Sequence, residues 1–375
     1  MVTMEEYDVL VVGAGPAGSS CAKAIAEKAD KSVLLIEKRQ TPASACAGGI
    51  PAYHLEKLGL SIPKEVILEE IHEEVILSPS YSLIIDESIF DSGPAGFIIN
   101  RKKFDQWLIK EAISSGVEYR NNTDFLHVKD EIKAKVCVDA SGVSRVVGKA
   151  NGFQFNSKPN DLGVGLQYTV DLPDSFDPHR VYFYLNAQKI PRGYFWIFPI
   201  NEKRCKIGVG IAKATNAKLP AIKILNKFAT DLGFKIDTPY ERLGGLIPLG
   251  RCVKSTQPNI FLIGDAGNYC SPLTGEGIYY AIKSGRIAGE VIAFDKGVKF
   301  FNKLIKKSPR KSISWQYRAK RVFYSLNNKD LDGLVKAIGN YEIGSLNLKK
   351  EAKRALFHLL KRDPKLCLRL IRKSI

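Results

Sequence analysis

Gly13-Ala14-Gly15-Pro16-Ala17-Gly18 stands between an apolar run, Tyr7 to Val12, and a small-residue stretch with helical spacing. Glu37 follows the last glycine by 19 residues. This spacing suits a dinucleotide. Gly13 permits a tight turn, Gly15 lets the backbone approach a pyrophosphate, Gly18 allows close helix–sheet packing, and the helix N-terminus turns its positive end to the phosphates. Glu37, closing the next strand, is placed to accept hydrogen bonds from an adenosine ribose. The motif serves NAD and FAD alike. A second element, Tyr194-Phe195-Trp196-Ile197-Phe198-Pro199, alternates so that, as a strand, it carries Tyr194, Trp196 and Phe198 on one face and Phe195 and Ile197 on the other. It reads either as an aromatic wall facing a cavity or as a plain core strand. Five histidines, none in His-Glu-x-x-His or His-x-x-x-His form, and seven scattered cysteines, none in Cys-x-x-Cys, offer no metal-ligand spacing. No bound metal is expected.

Three further stretches carry a resemblance. Asn259-Ile260-Phe261-Leu262-Ile263-Gly264-Asp265-Ala266-Gly267 ends a strand in Gly-Asp; Asp139-Ala140-Ser141-Gly142-Val143-Ser144-Arg145 is a polar turn; Arg101 opens an Arg-x-x-Phe-Asp helix start. Together with the first motif, and in the chain order 13–18, 101–105, 139–145 and 259–267, they resemble the FAD-dependent oxidoreductases of the glutathione-reductase and para-hydroxybenzoate-hydroxylase type. The resemblance implies FAD as cofactor, with Asp265 on the ribityl chain, the 139–145 turn near the nucleotide and Arg101 approaching the FAD. Taken alone, Arg101 also reads as a solvated charge at a helix start, and Asp105 as structural. Pro272 to Ile278 is expected to pass the flavin pyrimidine edge, where a helix N-terminus stabilises negative charge on the reduced ring. Thr274 is in position to cap that helix.

Within this superfamily the chain is similar to the geranylgeranyl reductase family. Cys46-Ala47-Gly48-Gly49-Ile50 resembles that family's Cys-Gly-Gly-Gly loop near the flavin, with Ala47 in place of a glycine, and Pro191 to Pro199 resembles its Tyr-x-Trp-x-Phe-Pro motif lining the substrate cavity. The implied activity is reduction of the isoprenoid double bonds of geranylgeranyl lipid precursors. The implied cofactor-binding set is Gly13, Gly15, Ala17, Gly18, Glu37, Lys38, Cys46, Ala47, Gly48, Gly49, Arg101, Ala140, Gly142, Gly264, Asp265, Gly275, Gly277 and Ile278. Substrate falls to Tyr194, Trp196, Phe198 and Pro199, and catalysis to Cys46, Tyr194 and Trp196. An isolated trisubstituted alkene is a poor hydride acceptor, so it needs protonation and hydride delivery in a dry pocket. Electron-rich rings stabilise positive charge developing on the tertiary carbon. Cys46 reads equally as proton donor or gate and as a small buried thiol. A flavin-dependent aromatic hydroxylase or halogenase is the alternative, since a related Trp-rich strand occurs there. A lipid-binding adaptor without turnover is a third reading. Only one dinucleotide fingerprint is present, so the electron donor, whether NADPH, ferredoxin or deazaflavin, stays open.

These residues need elements to hold them. Strand-like runs at Tyr7–Val12, Lys31–Ile36, Ala134–Ala140 and Asn259–Ile263, with helices from Pro16 and from Gly275 to about Phe294, make a parallel sheet with crossover helices. The expected fold is α/β (α+β). It has a Rossmann-like FAD-binding domain (1–72, 101–150 and 251–296), an inserted antiparallel-sheet substrate domain (73–100 and 151–250) and a basic helical C-terminal region (297–375). Gly333, Gly339 and Gly344 are expected to break the last helices. The chain has 56 Lys/Arg against 39 Asp/Glu, net +17, and residues 298–375 hold 21 of the bases and 5 of the acids. Residues 349–362 read as a basic helix with an apolar stripe, suited either to an anionic membrane surface or to packing on the body. No nucleic-acid-binding motif accompanies the charge, so no nucleic-acid partner is expected. No run approaches the ~18 apolar residues of a membrane span and no secretory signal is visible. A cytoplasmic chain, peripheral to the inner face of the membrane, is the expectation.

Overall fold

A computed structural model describes residues 4–42, 45–86, 93–155 and 158–339. The basic helix expected over 349–362, the break at Gly344 and the rest of the tail lie outside the described residues.

The chain divides into two compact units. The first comprises residues 1–44, 101–162 and 247–317. Its six-stranded sheet runs Thr256–Gln257, Ile260–Leu262, Ile132–Asp139, Glu5–Val12, Val33–Ile36, Glu118–Arg120. The opening strand pairs in parallel with both neighbours, Val9 opposite Val33 on one side and Val136 on the other. Val9 to Val12 is apolar without alternation because helices cover both faces of such a sheet, and all four residues are buried. Helix Pro16–Ala26 lies against helix Ile278–Ala293. The contact is backbone to backbone: a Cβ on Gly285 would strike the Ala17 carbonyl, and one on Gly289 would meet the Cys21 carbonyl oxygen at 2.6 Å. Small residues therefore fix the nucleotide helix from behind.

The second unit comprises residues 45–100, 163–246 and the chain from Arg318. Its seven-stranded sheet runs Glu241–Pro248, Leu162–Asp171, Arg204–Ala212, Gly193–Asn201, Arg180–Tyr184, Glu73–Leu77, Ser82–Asp86. Arg180–Tyr184 and Glu73–Leu77 pair in parallel, and the pairs around them are antiparallel. Helix Ala221–Asp231 seals one face, where Phe195, Ile197, Cys205, Ile207, Val209, Leu225 and Phe228 form the core. A three-stranded sheet, Gly49–Pro51, Gly96–Ile99, Ile67–Ile71, completes the unit.

The boundaries fall elsewhere than composition suggests. Residues 45–72 join the second unit because Gly49–Pro51 and Ile67–Ile71 flank Gly96–Ile99 in one sheet. The region after 297 is not a separate body among the described residues. Phe301 of helix Gly297–Lys307 is fully buried and edge-on to Phe261 at 5.3 Å. Helix Asn328–Gly339 packs on the second unit instead, where Asp332 Oδ1 accepts from Ser78 Oγ at 2.7 Å and from the Ser80 amide at 2.9 Å. That helix runs through Gly333. The roughly 1 kcal/mol cost of an interior glycine is offset at its start, where Asn327 and Asp330 exchange side-chain-to-backbone hydrogen bonds. The long helix begins at Ile278, not Gly275. Gly275 has φ +75°, a left-handed conformation that cannot continue into a helix. Thr274 is accordingly no N-cap; its amide donates to Ser271 Oγ within a preceding turn. Among the described residues no helix is long and apolar enough to cross a membrane.

Candidate active site

In the first unit the glycine turn is built as its spacing requires. A Cβ on Gly13 would meet the Ala140 carbonyl oxygen at 2.5 Å and one on Gly18 would run into the Gly13 carbonyl, whereas a Cβ on Gly15 would meet nothing within 4 Å. Two glycines serve packing and one keeps an open approach to backbone amides at the start of Pro16–Ala26. Glu37 Oε2 accepts from the Ala14 amide at 3.1 Å and Oε1 from the Arg39 amide at 3.2 Å, so the acid is tied to the turn it serves. Lys38, next to it, is exposed.

The polar turn after Ile132–Asp139 is organised by its own acid. Asp139, fully buried, takes hydrogen bonds from the Ser141 amide (3.0 Å), Ser141 Oγ (2.6 Å) and the Gly148 amide (2.8 Å). Arg145 Nε donates to the Ala266 carbonyl at 3.0 Å and its guanidinium to Asn268 Oδ1, which ties this turn to the Gly264–Gly267 turn. Position 142 is open on its Cβ side, like Gly15.

Arg101 is buried, at 8% exposure, and forks onto both oxygens of Asp105 at 3.0 and 3.2 Å. The solvated-charge reading of Arg101 is therefore overturned. Burial pushes the Asp105 carboxyl up, opposed by the Arg101 charge. Asp265 is enclosed by protein atoms yet keeps partial solvent contact, as a side chain lining a cleft does. Desolvation raises its carboxyl to about 6, against the pull of Arg101 and Arg145. Gly277 comes within reach: its Cβ position is 3.6 Å from Asp265 Oδ1 and 3.9 Å from Cys270 Sγ. Gly264, Asp265, Gly277 and Ile278 are thus brought to one place, with Gly275 in the turn before them. Open glycine flanks, helix N-terminus and an acid at the end of the second turn fit a bound dinucleotide such as FAD.

In the second unit, Tyr194, Trp196 and Phe198 share one sheet face. Trp196 lies 5.9 Å from Tyr194 and 6.3 Å from Phe198, ring to ring, and Phe183 stands edge-on to Tyr194 and Phe198. Phe195 and Ile197 point into the helix-covered core as the alternation predicts. Pro199 is corrected: it pairs with Cys205, next to a bulge, on the Phe195 and Ile197 side and not with the aromatic face. The indole Nε1 of Trp196 is buried with no hydrogen-bond partner among the described residues. Cys46 and Ala47 are half-buried, and Gly48 and Gly49 follow into the three-stranded sheet, where a Cβ on Gly49 would meet the Phe198 ring at 2.9 Å. The Cys46 loop and the aromatic strand are therefore neighbours. Among the described residues no group of His, Cys, Asp and Glu could hold a metal ion.

Four features escaped the sequence reading. Gly208 pairs with Trp196 across the sheet, and a Cβ there would strike the indole. Gly210, opposite Tyr194, would meet the same ring at 3.5 Å. A Gly-x-Gly inside a strand marks a close approach, and that signal was available. Gln167 and Lys206, buried on the same face, gave none, because lysine is so seldom buried.

Known proteins resemble this chain along most of its length. Residues 161–240 match the family model of the geranylgeranyl reductase catalytic domain, and residues 11–69 that of an NAD(P)-binding Rossmann-like domain. The digeranylgeranylglycerophospholipid reductase of Methanosarcina acetivorans is 32% identical over 91% of this chain and 91% of its own. That of Methanocaldococcus jannaschii is 29% identical over 93% of this chain and 95% of its own. Among solved structures, a geranylgeranyl bacteriochlorophyll reductase-like protein of Thermoplasma acidophilum superposes with TM-score 0.86 at 24% identity, over 99% of this chain and 100% of that one. The flavin-dependent brominase Bmp2 shares the fold at TM-score 0.61 and 19% identity, over 98% of this chain and 93% of its own.

Proposed function

This chain belongs to the digeranylgeranylglycerophospholipid reductases, and from that membership we propose that it is an FAD-dependent oxidoreductase saturating the isoprenoid double bonds of a geranylgeranyl glycerophospholipid precursor. The observation that carries the reading is the aromatic face of Tyr194, Trp196 and Phe198, over glycines that leave room for the rings, in a chain that also holds a complete dinucleotide turn. When bound and reduced, FAD supplies the hydride. Gly13, Gly15, Ala17 and the helix N-terminus hold its pyrophosphate, Glu37 with Lys38 its adenosine end, and Asp265 its ribityl chain. Arg101, Ala140, Gly142, Gly264, Gly275, Gly277 and Ile278 complete the cradle. Tyr194, Trp196 and Phe198 bind the prenyl chain and exclude water, and the first two offer their π faces to positive charge on the tertiary carbon. Cys46 holds the proton delivered to the alkene.

The donor that reduces the flavin is identified by bleaching of its visible absorption when NADPH, reduced ferredoxin or a reduced deazaflavin is added without air. The basic segment 349–373 lays the chain peripherally on an anionic membrane, which co-sedimentation with anionic against neutral vesicles tests on the full chain. A hydroxylase or halogenase of the same fold needs oxygen for every turnover. Substrate-dependent oxygen consumption matched to product would favour that alternative; product without oxygen uptake supports the reductase.

A further inference from the structure

Lys206 is a buried lysine in the middle of an aromatic sheet face, 8% exposed and register-paired with Phe198 on one side and Thr169 on the other. Removing an ammonium from water costs several kcal/mol unless it is hydrogen-bonded, so its partner is informative. Its Nζ donates to the carbonyl oxygen of Ala47 at 3.0 Å. One residue earlier, Gln167 Nε2 donates to the Cys46 carbonyl at 3.5 Å. One residue later, the Ile99 amide donates to the Gly48 carbonyl at 2.9 Å. Three consecutive carbonyls, of Cys46, Ala47 and Gly48, thus take donors from three different strands: Leu162–Asp171, Arg204–Ala212 and Gly96–Ile99. The last is ordinary sheet pairing, but the first two are side chains whose strands lie far away in sequence.

We propose that Lys206, seconded by Gln167, is a positioning residue that holds the Cys46–Ala47 backbone against the aromatic strand and so fixes where the Cys46 thiol stands. The proposal rests on the reductase reading for its role in turnover, but not for its geometry. A charge-assisted bond is roughly twice as strong as a neutral one, so Lys206 carries more of the load than Gln167 at its longer distance. Ala47, where the related loop has a glycine, keeps its carbonyl free for this bond, since the side chain alone differs. With Lys206 buried and Ala47 half-buried, the bond is less screened than its surface equivalent.

The test uses the full-length, flavin-loaded chain. Iodoacetamide labelling of Cys46, followed by peptide mass spectrometry with Cys252 as internal reference, is compared in wild type, Lys206→Met and Lys206→Arg. Methionine fits the apolar surroundings but cannot donate; arginine can. Freeing the loop should raise the relative labelling rate of Cys46 about tenfold or more, the factor expected for one charged hydrogen bond. Lys206→Arg should restore most of the wild-type rate, and Gln167→Leu should show a smaller rise. Anaerobic single-turnover reduction of a geranylgeranyl phospholipid should fall in the Met variant and recover in the Arg variant. Unchanged Cys46 labelling in Lys206→Met overturns the proposal, whatever happens to turnover. Labelling that rises equally at Cys46 and Cys252 also overturns it, because general loosening of the fold would then be the cause. Absence of turnover in wild type would count against the reductase reading alone, since the labelling comparison still decides the positioning role.

Discussion

Asp265→Asn removes a charge that the cofactor-free fold disfavours. Burial lifts the Asp265 carboxyl from its ordinary 3.8 to about 6, despite Arg101 and Arg145. A carboxyl with a higher pKa folded than unfolded keeps its proton longer in the native state. Between about 4 and 6 the native state therefore binds more protons than the unfolded one, and stability falls as pH rises through that window, then stays level above it. Two pH units at about 1.4 kcal/mol each set a ceiling near 3 kcal/mol. Because the carboxyl keeps some solvent contact, about 1–2 kcal/mol is the expected cost. Asparagine has nearly the same shape and no charge. Urea unfolding of FAD-stripped wild type and Asp265→Asn, at steps from pH 4.5 to 8, should give a difference in favour of the variant that grows up to about pH 7 and is flat beyond. A difference independent of pH, or a variant less stable than wild type at pH 8, would refute the reasoning. FAD acts in the opposite direction. A ribityl hydroxyl that donates to the carboxylate would donate to a neutral amide oxygen in the variant, and losing the charge assistance, about 1.5 kcal/mol, should weaken FAD binding about tenfold by fluorescence titration. The acid would then be retained for the cofactor at the expense of the apoprotein, a trade common at functional sites.

Other substitutions separate packing from binding. Gly15→Ala should leave the melting temperature of the apoprotein unchanged, since its Cβ meets nothing within 4 Å, while abolishing the flavin spectrum of the purified protein; Gly18→Ala, whose Cβ collides with the Gly13 carbonyl, should not fold. Gly208→Ala displaces the Trp196 indole, should cost about 1–3 kcal/mol in urea unfolding, and should suppress prenyl reduction; Gly210→Ala, with ordinary contact at 3.5 Å, should do neither. Arg101→Met leaves Asp105 buried without its charge partner and should destabilise by about 3–5 kcal/mol, with Asp105→Leu in the same chain recovering most of it.

The nucleotide half of the molecule was legible in the sequence because its demands are local. Tight turns need glycine, a strand covered on both faces needs an unbroken apolar run, and an acid ending the second strand reaches the turn, as the bond from the Ala14 amide to Glu37 illustrates. The two faces of Tyr194 to Phe198 were legible for the same reason, a period of two. Pro199 follows the same alternation, which puts it on the Phe195 and Ile197 face and takes it out of the aromatic set. What could not be read were partners distant in sequence. The burial of Arg101 depends on Asp105 and the packing around it, Gly285 and Gly289 matter only once two helices touch, and Lys206 meets Ala47 across 159 residues. The start of the long helix was misplaced by three residues because Gly275 can adopt a helical or a left-handed conformation, and only the surrounding turn decides.

The most direct test of the account is anaerobic turnover. The flavin-loaded chain is reduced chemically, mixed with a digeranylgeranyl glycerophospholipid without oxygen, and followed by flavin absorption and by product mass. The account predicts flavin reoxidation in step with products that gain hydrogens two at a time, lost in Trp196→Ala. A flavin that stays reduced until air is admitted, with lipid mass unchanged, would contradict it.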